Sequence, residues 1–205
     1  MLGFYNRSVI LTYIGLIFGV VGIRLAMGGE ILYALCCLMV CGVCDMFDGK
    51  IARATKRSED AKVFGIQIDS LCDLVCFGVQ PAVIAMCAGA DGVVGTAVSA
   101  LYVLAAVVRL GYFNVTEQKR QQQTDANRTR YQGLPVTTAA WLLPLFFCFS
   151  GLLGEALAPV LTAWMAVLAA AFVLDFRLPK PQKSGLLYAA AGILVAGAAA
   201  AVIFL

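Results

Sequence analysis

Apolar runs, each close to the ~20 residues a helix needs to cross a bilayer, follow one another from Ser8 to Leu205, separated by short polar turns and one longer polar segment, Asn114 to Gln132, read as a loop or a surface helix. Few folds accommodate such a pattern. In hydrocarbon every backbone N–H and C=O must find its partner within the protein, so an unbroken run of this length is read as a transmembrane helix. The runs extend from Ser8 to Met27, from Ile31 past Asp45, from about Asp60 to Cys87, from Val93 to Phe113, from Gly133 to Leu153, to a point near Leu174, and from Gly185 to Leu205. With 61% hydrophobic and 13% charged residues, the composition excludes an ordinary soluble domain. The expected architecture is an all-α polytopic transmembrane bundle with a six-helix core and a seventh C-terminal span over about 185–205. It forms one integral-membrane domain over 1–205, its core in about 1–175. The first run is long enough to span, so no cleaved leader is expected. Gln80-Pro81, deep in the third run, is expected to kink that helix or to free a carbonyl.

Basic residues cluster on one side of this bundle. Thirteen of the fifteen Lys and Arg fall near Arg7, in Lys50 to Lys62, in Lys119 to Arg130 and in Arg177 to Lys183, whereas the opposite turns carry only Glu30, Asp91 and Glu155. The positive-inside rule makes the basic side cytoplasmic and the protein a component of the cytoplasmic membrane. Those loops also suit contact with anionic lipid headgroups.

Against this background four aspartates stand out. Asp45, Asp48, Asp69 and Asp73 lie at the basic ends of the second and third runs, where carboxylates are costly to desolvate and read as a functional site in need of a cation. At ~100° per residue, Asp45, Asp48, Gly49 and Ala52 share one stripe of a helix, and Gly65, Asp69 and Asp73 line a second at i, i+4, i+8. Two antiparallel neighbours can face these stripes at each other. A single aspartate at a helix end is ordinarily a solvated cap, and a single membrane glycine a packing contact; their joint pattern is not explained that way. Facing carboxylates repel unless protons or cations intervene, and divalent metal is the expected answer. The chain has no His. Oxygen ligands alone favour Mg²⁺, Mn²⁺ or Ca²⁺, ions that typically serve substrate phosphates. Gly49, Ala52 and Gly65 leave room beside the backbone, and Arg53 stands ready to brace a carboxylate or phosphate. The eight cysteines sit in apolar runs and are read as small packing residues, Cys41-x-x-Cys44 included.

Asp45-x-x-Asp48-Gly49-x-x-Ala52-Arg53, followed by Gly65-x-x-x-Asp69-x-x-x-Asp73, resembles the signature of the CDP-alcohol phosphotransferases. The stretch from Asp69 to Pro81, Arg109-x-x-x-Phe113-Asn114 and Gly133-Leu134-Pro135 are similar to the phosphatidylserine synthase branch of that family. Eleven residues separate Arg53 from Gly65, more than the family usually has, and Tyr112 stands where the branch often carries a basic residue. The resemblance covers about 1–175. It implies a homodimeric membrane enzyme that exchanges CMP on CDP-diacylglycerol for an alcohol, with L-serine as acceptor and no nucleic-acid partner.

The resemblance implies that Asp45, Asp48 and Asp69 bind metal, and that Asp73 ligates a second ion and acts as general base. Gly49, Ala52 and Gly65 would accommodate the cytidine diphosphate, with Asp48 and Arg53 at its phosphates. The ions would be Mg²⁺ or Mn²⁺. Serine is a zwitterion whose carboxylate needs a cation, for which Arg109 is the candidate, with Asn114 as polar neighbour. Competing readings are another acceptor, such as glycerol 3-phosphate or an inositol phosphate, and a divalent-cation transporter.

Overall fold

The structure, a computed structural model, describes residues 7–54, 58–123 and 130–179. Helix α1 (Arg7–Met27) and helix α2 (Ile31–Ala54) form an antiparallel pair packed along most of their length. Their turn closes where Gly29, at φ 85°, lets its N–H reach the Ala26 carbonyl at 2.9 Å and the N–H of Glu30 reach that of Leu25 at 3.0 Å. Gly89, at φ 110°, closes the turn after Cys87 in the same manner.

Close approach along this pair rests on small residues. Gly15, Gly19 and Gly22 occupy one seam of α1, and side chains there would meet Cys44, Cys76, Cys37 and Gln80 at contact distance or closer. In lipid, where burial of apolar surface supplies no force between helices, such backbone proximity is what packing can exploit.

The third span is continuous but not uniform. Helix α3 (Glu59–Asp73) is capped by the Ser58 hydroxyl, which accepts from the Ala61 N–H, and Glu59 and Asp60 in its first turn complement the helix dipole. It passes through a π-helical stretch, Leu74–Val79, into α4 (Gln80–Cys87). Pro81 explains the interruption: it has no N–H for the Phe77 carbonyl four residues earlier, and that carbonyl instead accepts from the Tyr102 hydroxyl at 2.8 Å. The expected freed carbonyl is therefore present and occupied. Gln80, fully buried, is satisfied by the Ala34 carbonyl at 3.1 Å.

Helix α5 (Val93–Gln123) is longer than the apolar run that defines it. The sequence leaves the stretch after Asn114 as a loop or surface helix, and it remains helical to Gln123. No Gly or Pro interrupts it, and Glu117 and Arg120 pair one turn apart at 2.5 Å. A three-residue ribbon joins β1 (Arg130–Gln132) to β2 (Arg177–Pro179), Tyr131 opposite Leu178. Helix α6 (Ala139–Phe147) follows a 3-10 turn at Val136–Thr138, and α7 (Leu157–Val173) completes the bundle against α5.

The fifth run differs from expectation. Instead of a helix from Gly133 to Leu153, the apolar helix covers Val136–Phe147 and dissolves into 3-10 turns at Ser150–Leu152 and Gly154–Ala156. Pro144 withholds an N–H inside α6, and after the Cys148 N–H reaches the Pro144 carbonyl at 3.1 Å the bonds shorten to three residues, Phe149 to Phe146 at 3.0 Å and Leu153 to Ser150 at 3.0 Å. Among the described residues, five helices are long and apolar enough to cross a membrane, and α6 is the short sixth member. The run from Gly185 to Leu205 lies outside the described residues.

Tyr102, Phe77, Phe172, Leu38, Ile84, Leu143, Leu161 and Met165 form the centre of the core. Outward-facing Ile17, Leu71, Leu101 and Val167 are each 58–62% exposed, an apolar surface suited to lipid. The molecule is an integral membrane protein of all-α architecture.

Candidate metal centre

Helix α2 stays helical through Ala54, so Asp45 and Asp48 lie one turn apart on its inner side. Helix α3 comes back antiparallel and presents Asp69. The carboxylate oxygens of Asp45, Asp48 and Asp69 lie within 4.8 Å of one another. Asp73, the last residue of α3 before the π-helical stretch, lies one turn further along and within reach of the charges of the other three. The two expected stripes do meet.

The longer Arg53–Gly65 interval does not form a long loop. Ala54 belongs to α2 and Glu59–Phe64 to the first turns of α3, so seven of the eleven residues are helical, and the aspartates keep their facing register. Gly49 and Gly65 are half-buried beside the cluster. Ala52 and Arg53 lie in the last turn of α2, and their side chains fall outside the described residues.

Three carboxylates so close together repel unless protons or cations intervene. Among the described residues, Asp45, Asp69 and Asp73 form no ion pair with a lysine or arginine; Lys62 pairs with Glu59 at 2.8 Å and Arg120 with Glu117. The donor set is all oxygen, at a spacing one hard divalent ion could bridge. These residues could therefore hold a metal ion. The neighbouring thiols of Cys44, Cys72 and Cys76 lie outside that group, and all eight cysteines are free, as the packing reading requires. Cys41 and Cys76 each donate to the Gly15 carbonyl, at 3.2 and 3.5 Å.

Arg109 and Asn114 lie on different faces of α5. Five residues apart on α5, they point about 140° from each other. Arg109 is buried, and its Nε donates to the Leu134 carbonyl at 3.1 Å, where the chain restarts toward α6. Asn114 faces α3: its Oδ1 accepts from the Ser70 hydroxyl at 2.5 Å and its Nδ2 donates to Gln67 Oε1 at 3.3 Å. Tyr112 is exposed.

One contact escapes the sequence reading. The Thr12 hydroxyl on α1 donates to Asp48 Oδ2 at 2.8 Å, with both residues buried. The signal was positional: Thr12 stands as many residues before Glu30, in the hairpin turn, as Asp48 stands after it, so an antiparallel pair brings them level.

Comparison with known proteins fits this geometry. The profile of the CDP-alcohol phosphatidyltransferase family matches residues 5–175, from the start of α1 to the end of α7. The chain is 37% identical over 110 residues to a CDP-diacylglycerol–serine O-phosphatidyltransferase of Saccharomyces cerevisiae, covering 52% of this chain and 39% of that protein. A protein of the same name from Helicobacter pylori is 36% identical over 113 residues, 54% of this chain and 44% of its own length. An archaetidylserine synthase of Methanothermobacter thermautotrophicus is 33% identical over 158 residues, 76% of this chain and 58% of its own. The chain thus spans about half the length of the curated relatives it matches. Since the family profile takes in the whole described bundle and both helices that bring the aspartates together, the chain belongs to the CDP-alcohol phosphatidyltransferase family.

Proposed function

We propose that this protein transfers the phosphatidyl group of CDP-diacylglycerol to the hydroxyl of L-serine, giving phosphatidylserine and CMP. The observation that carries the reading is the cluster of Asp45, Asp48 and Asp69 at one end of a membrane bundle, where a lipid-borne diphosphate and a water-borne acceptor can meet. The relatives support the acceptor: their names differ in the lipid and share serine.

Asp45, Asp48 and Asp69 would hold one divalent ion, with Asp73 lending a carboxylate to a second. When bound, Mg²⁺ or Mn²⁺ offsets the diphosphate charge and stabilises the departing CMP. Asp73, facing the acceptor, takes the proton of the serine hydroxyl as its oxygen attacks the phosphorus that bears diacylglycerol; the bond from that phosphorus to the CMP oxygen breaks, and the electron pair leaves with CMP. Gly49, Ala52 and Gly65 keep side chains away from the cytidine diphosphate, and Asp48 and Arg53 order it. Arg109 would meet the serine carboxylate. Asn114, bonded to Ser70 and Gln67, would fix α3 against α5 beside it. The site faces the cytoplasm of the cytoplasmic membrane in this reading, and the working form is a homodimer of single-domain chains.

Purified protein supplied with CDP-diacylglycerol is expected to release CMP only when serine and Mg²⁺ or Mn²⁺ are both present, and to stop when the ion is chelated. Release with glycerol 3-phosphate but not serine would move the acceptor assignment. No release with any alcohol, while divalent ions still bind, would overturn the transferase reading in favour of transport.

A further inference from the structure

Membrane threonines ordinarily satisfy their hydroxyl on the carbonyl four residues earlier in the same helix, as Thr162 does on Ala158 at 2.8 Å. Thr12 does not. Its hydroxyl crosses to α2 and donates to Asp48 Oδ2 at 2.8 Å, and both residues are more than nine-tenths buried. Thr12 also heads the seam formed by Gly15, Gly19 and Gly22, whose missing side chains set how close α1 lies to α2 and to the π-helical stretch. The Gly15 carbonyl, one turn along, accepts from Cys41 on α2 and Cys76 on that stretch, which pins the register of α1 against both walls of the acidic cluster. The hydroxyl is therefore delivered to one carboxylate oxygen by backbone packing.

A carboxylate on a helix can rotate about its last bond, and a ligand held by an outer hydrogen bond binds metal better than one that is not. We infer that Thr12 is a positioning residue, which fixes the Asp48 carboxylate in the orientation that lends an oxygen to a divalent ion shared with Asp45 and Asp69. This rests on the reading of those aspartates as metal ligands and adds to it a residue from a different helix. It makes α1 part of the metal centre without touching the ion.

The test uses the purified full chain in lipid nanodiscs with Mn²⁺ alone as probe, its binding followed by loss of the free-ion paramagnetic resonance signal. Thr12→Val keeps the side-chain shape and removes the donor; Mn²⁺ binding is expected to weaken by about 10- to 100-fold. Thr12→Ser keeps the hydroxyl and should bind close to the parent. Melting of each variant without ion provides the second readout, because a merely structural threonine would lower that melting point and leave Mn²⁺ affinity unchanged. Valine binding as tightly as the parent, or serine binding as weakly as valine, would overturn the inference. If the valine variant does not fold, Thr12→Ala set against Thr12→Ser decides the same question. A parent protein that binds no Mn²⁺ removes the metal reading and this inference with it, whereas Mn²⁺ binding indifferent to residue 12 removes this inference alone.

Discussion

At the scale of single residues, what distinguishes this site is that each charged group has a different neighbour to answer to. Asp45, Asp48 and Asp69 answer to one another, and Arg109 to a backbone carbonyl. The Arg109 guanidinium is buried, with its Nε donating to the Leu134 carbonyl, and its charge sits where α5 meets the restart of the chain toward α6. Arg109→Lys, which keeps the charge and loses the fork, is expected to raise KM for serine by roughly tenfold, one hydrogen bond to a charged group, with little change in KM for CDP-diacylglycerol. Steady-state CMP release checks it, and an unchanged serine KM would remove Arg109 from the acceptor site. The aspartates were legible in the sequence because a carboxylate in an apolar run has no bland explanation once four of them share two helix stripes. Thr12 was not, because a membrane hydroxyl can satisfy itself on its own helix and only the hairpin register shows that it does not. Asn114 was read as a polar neighbour of Arg109 from its closeness in sequence. Five residues of helix turn it toward Ser70 instead.

Elements show where the sequence pattern and the chain part company. Hydropathy marks where a helix can start, but the end depends on local hydrogen bonding. Hence α5 overran its apolar segment by ten residues on helix-forming side chains, while α6 ended at Phe147, where the backbone bonds shorten to three residues. Within the interval between Arg53 and Gly65, Ala54 and Glu59–Phe64 are helix for the first of these reasons. Pro81 signalled a break correctly but not its form, since a kink and a π-helical stretch are alternative answers to one missing N–H. Here the answer depends on Tyr102, whose ring also packs on Phe172 with centroids 5.3 Å apart. Tyr102→Phe keeps that packing and leaves the Phe77 carbonyl unsatisfied in the core. It is expected to destabilise the protein by about 1–3 kcal/mol, read as a lower melting temperature in detergent. A melting temperature equal to the parent's would show that the carbonyl finds another donor.

For the whole molecule, the governing fact is that the two ends of the bundle differ. The acidic cluster, the β1–β2 ribbon and the projecting end of α5 share one end, and the tight turns at Gly29 and Gly89 share the other. At 1.5 Å per residue α5 is about 46 Å long against ~30 Å of hydrocarbon, so about three turns stand clear of the apolar layer. In right-side-out vesicles, and with the eight native cysteines replaced by alanine, a membrane-impermeant maleimide is expected to label Asp91→Cys from outside and Lys62→Cys only after permeabilisation; the reverse pattern would invert the orientation. The bond from Tyr102 to Phe77 has a consequence for how such a molecule can change over generations. Proline at 81 strands a carbonyl, and tyrosine at 102, on a different helix, takes it up. A descendant that loses the proline at 81 first releases the hydroxyl at 102, though not the ring that packs on Phe172, whereas one that loses the hydroxyl first must pass through a less stable intermediate. The order of substitution is constrained even though the two positions lie far apart in the chain.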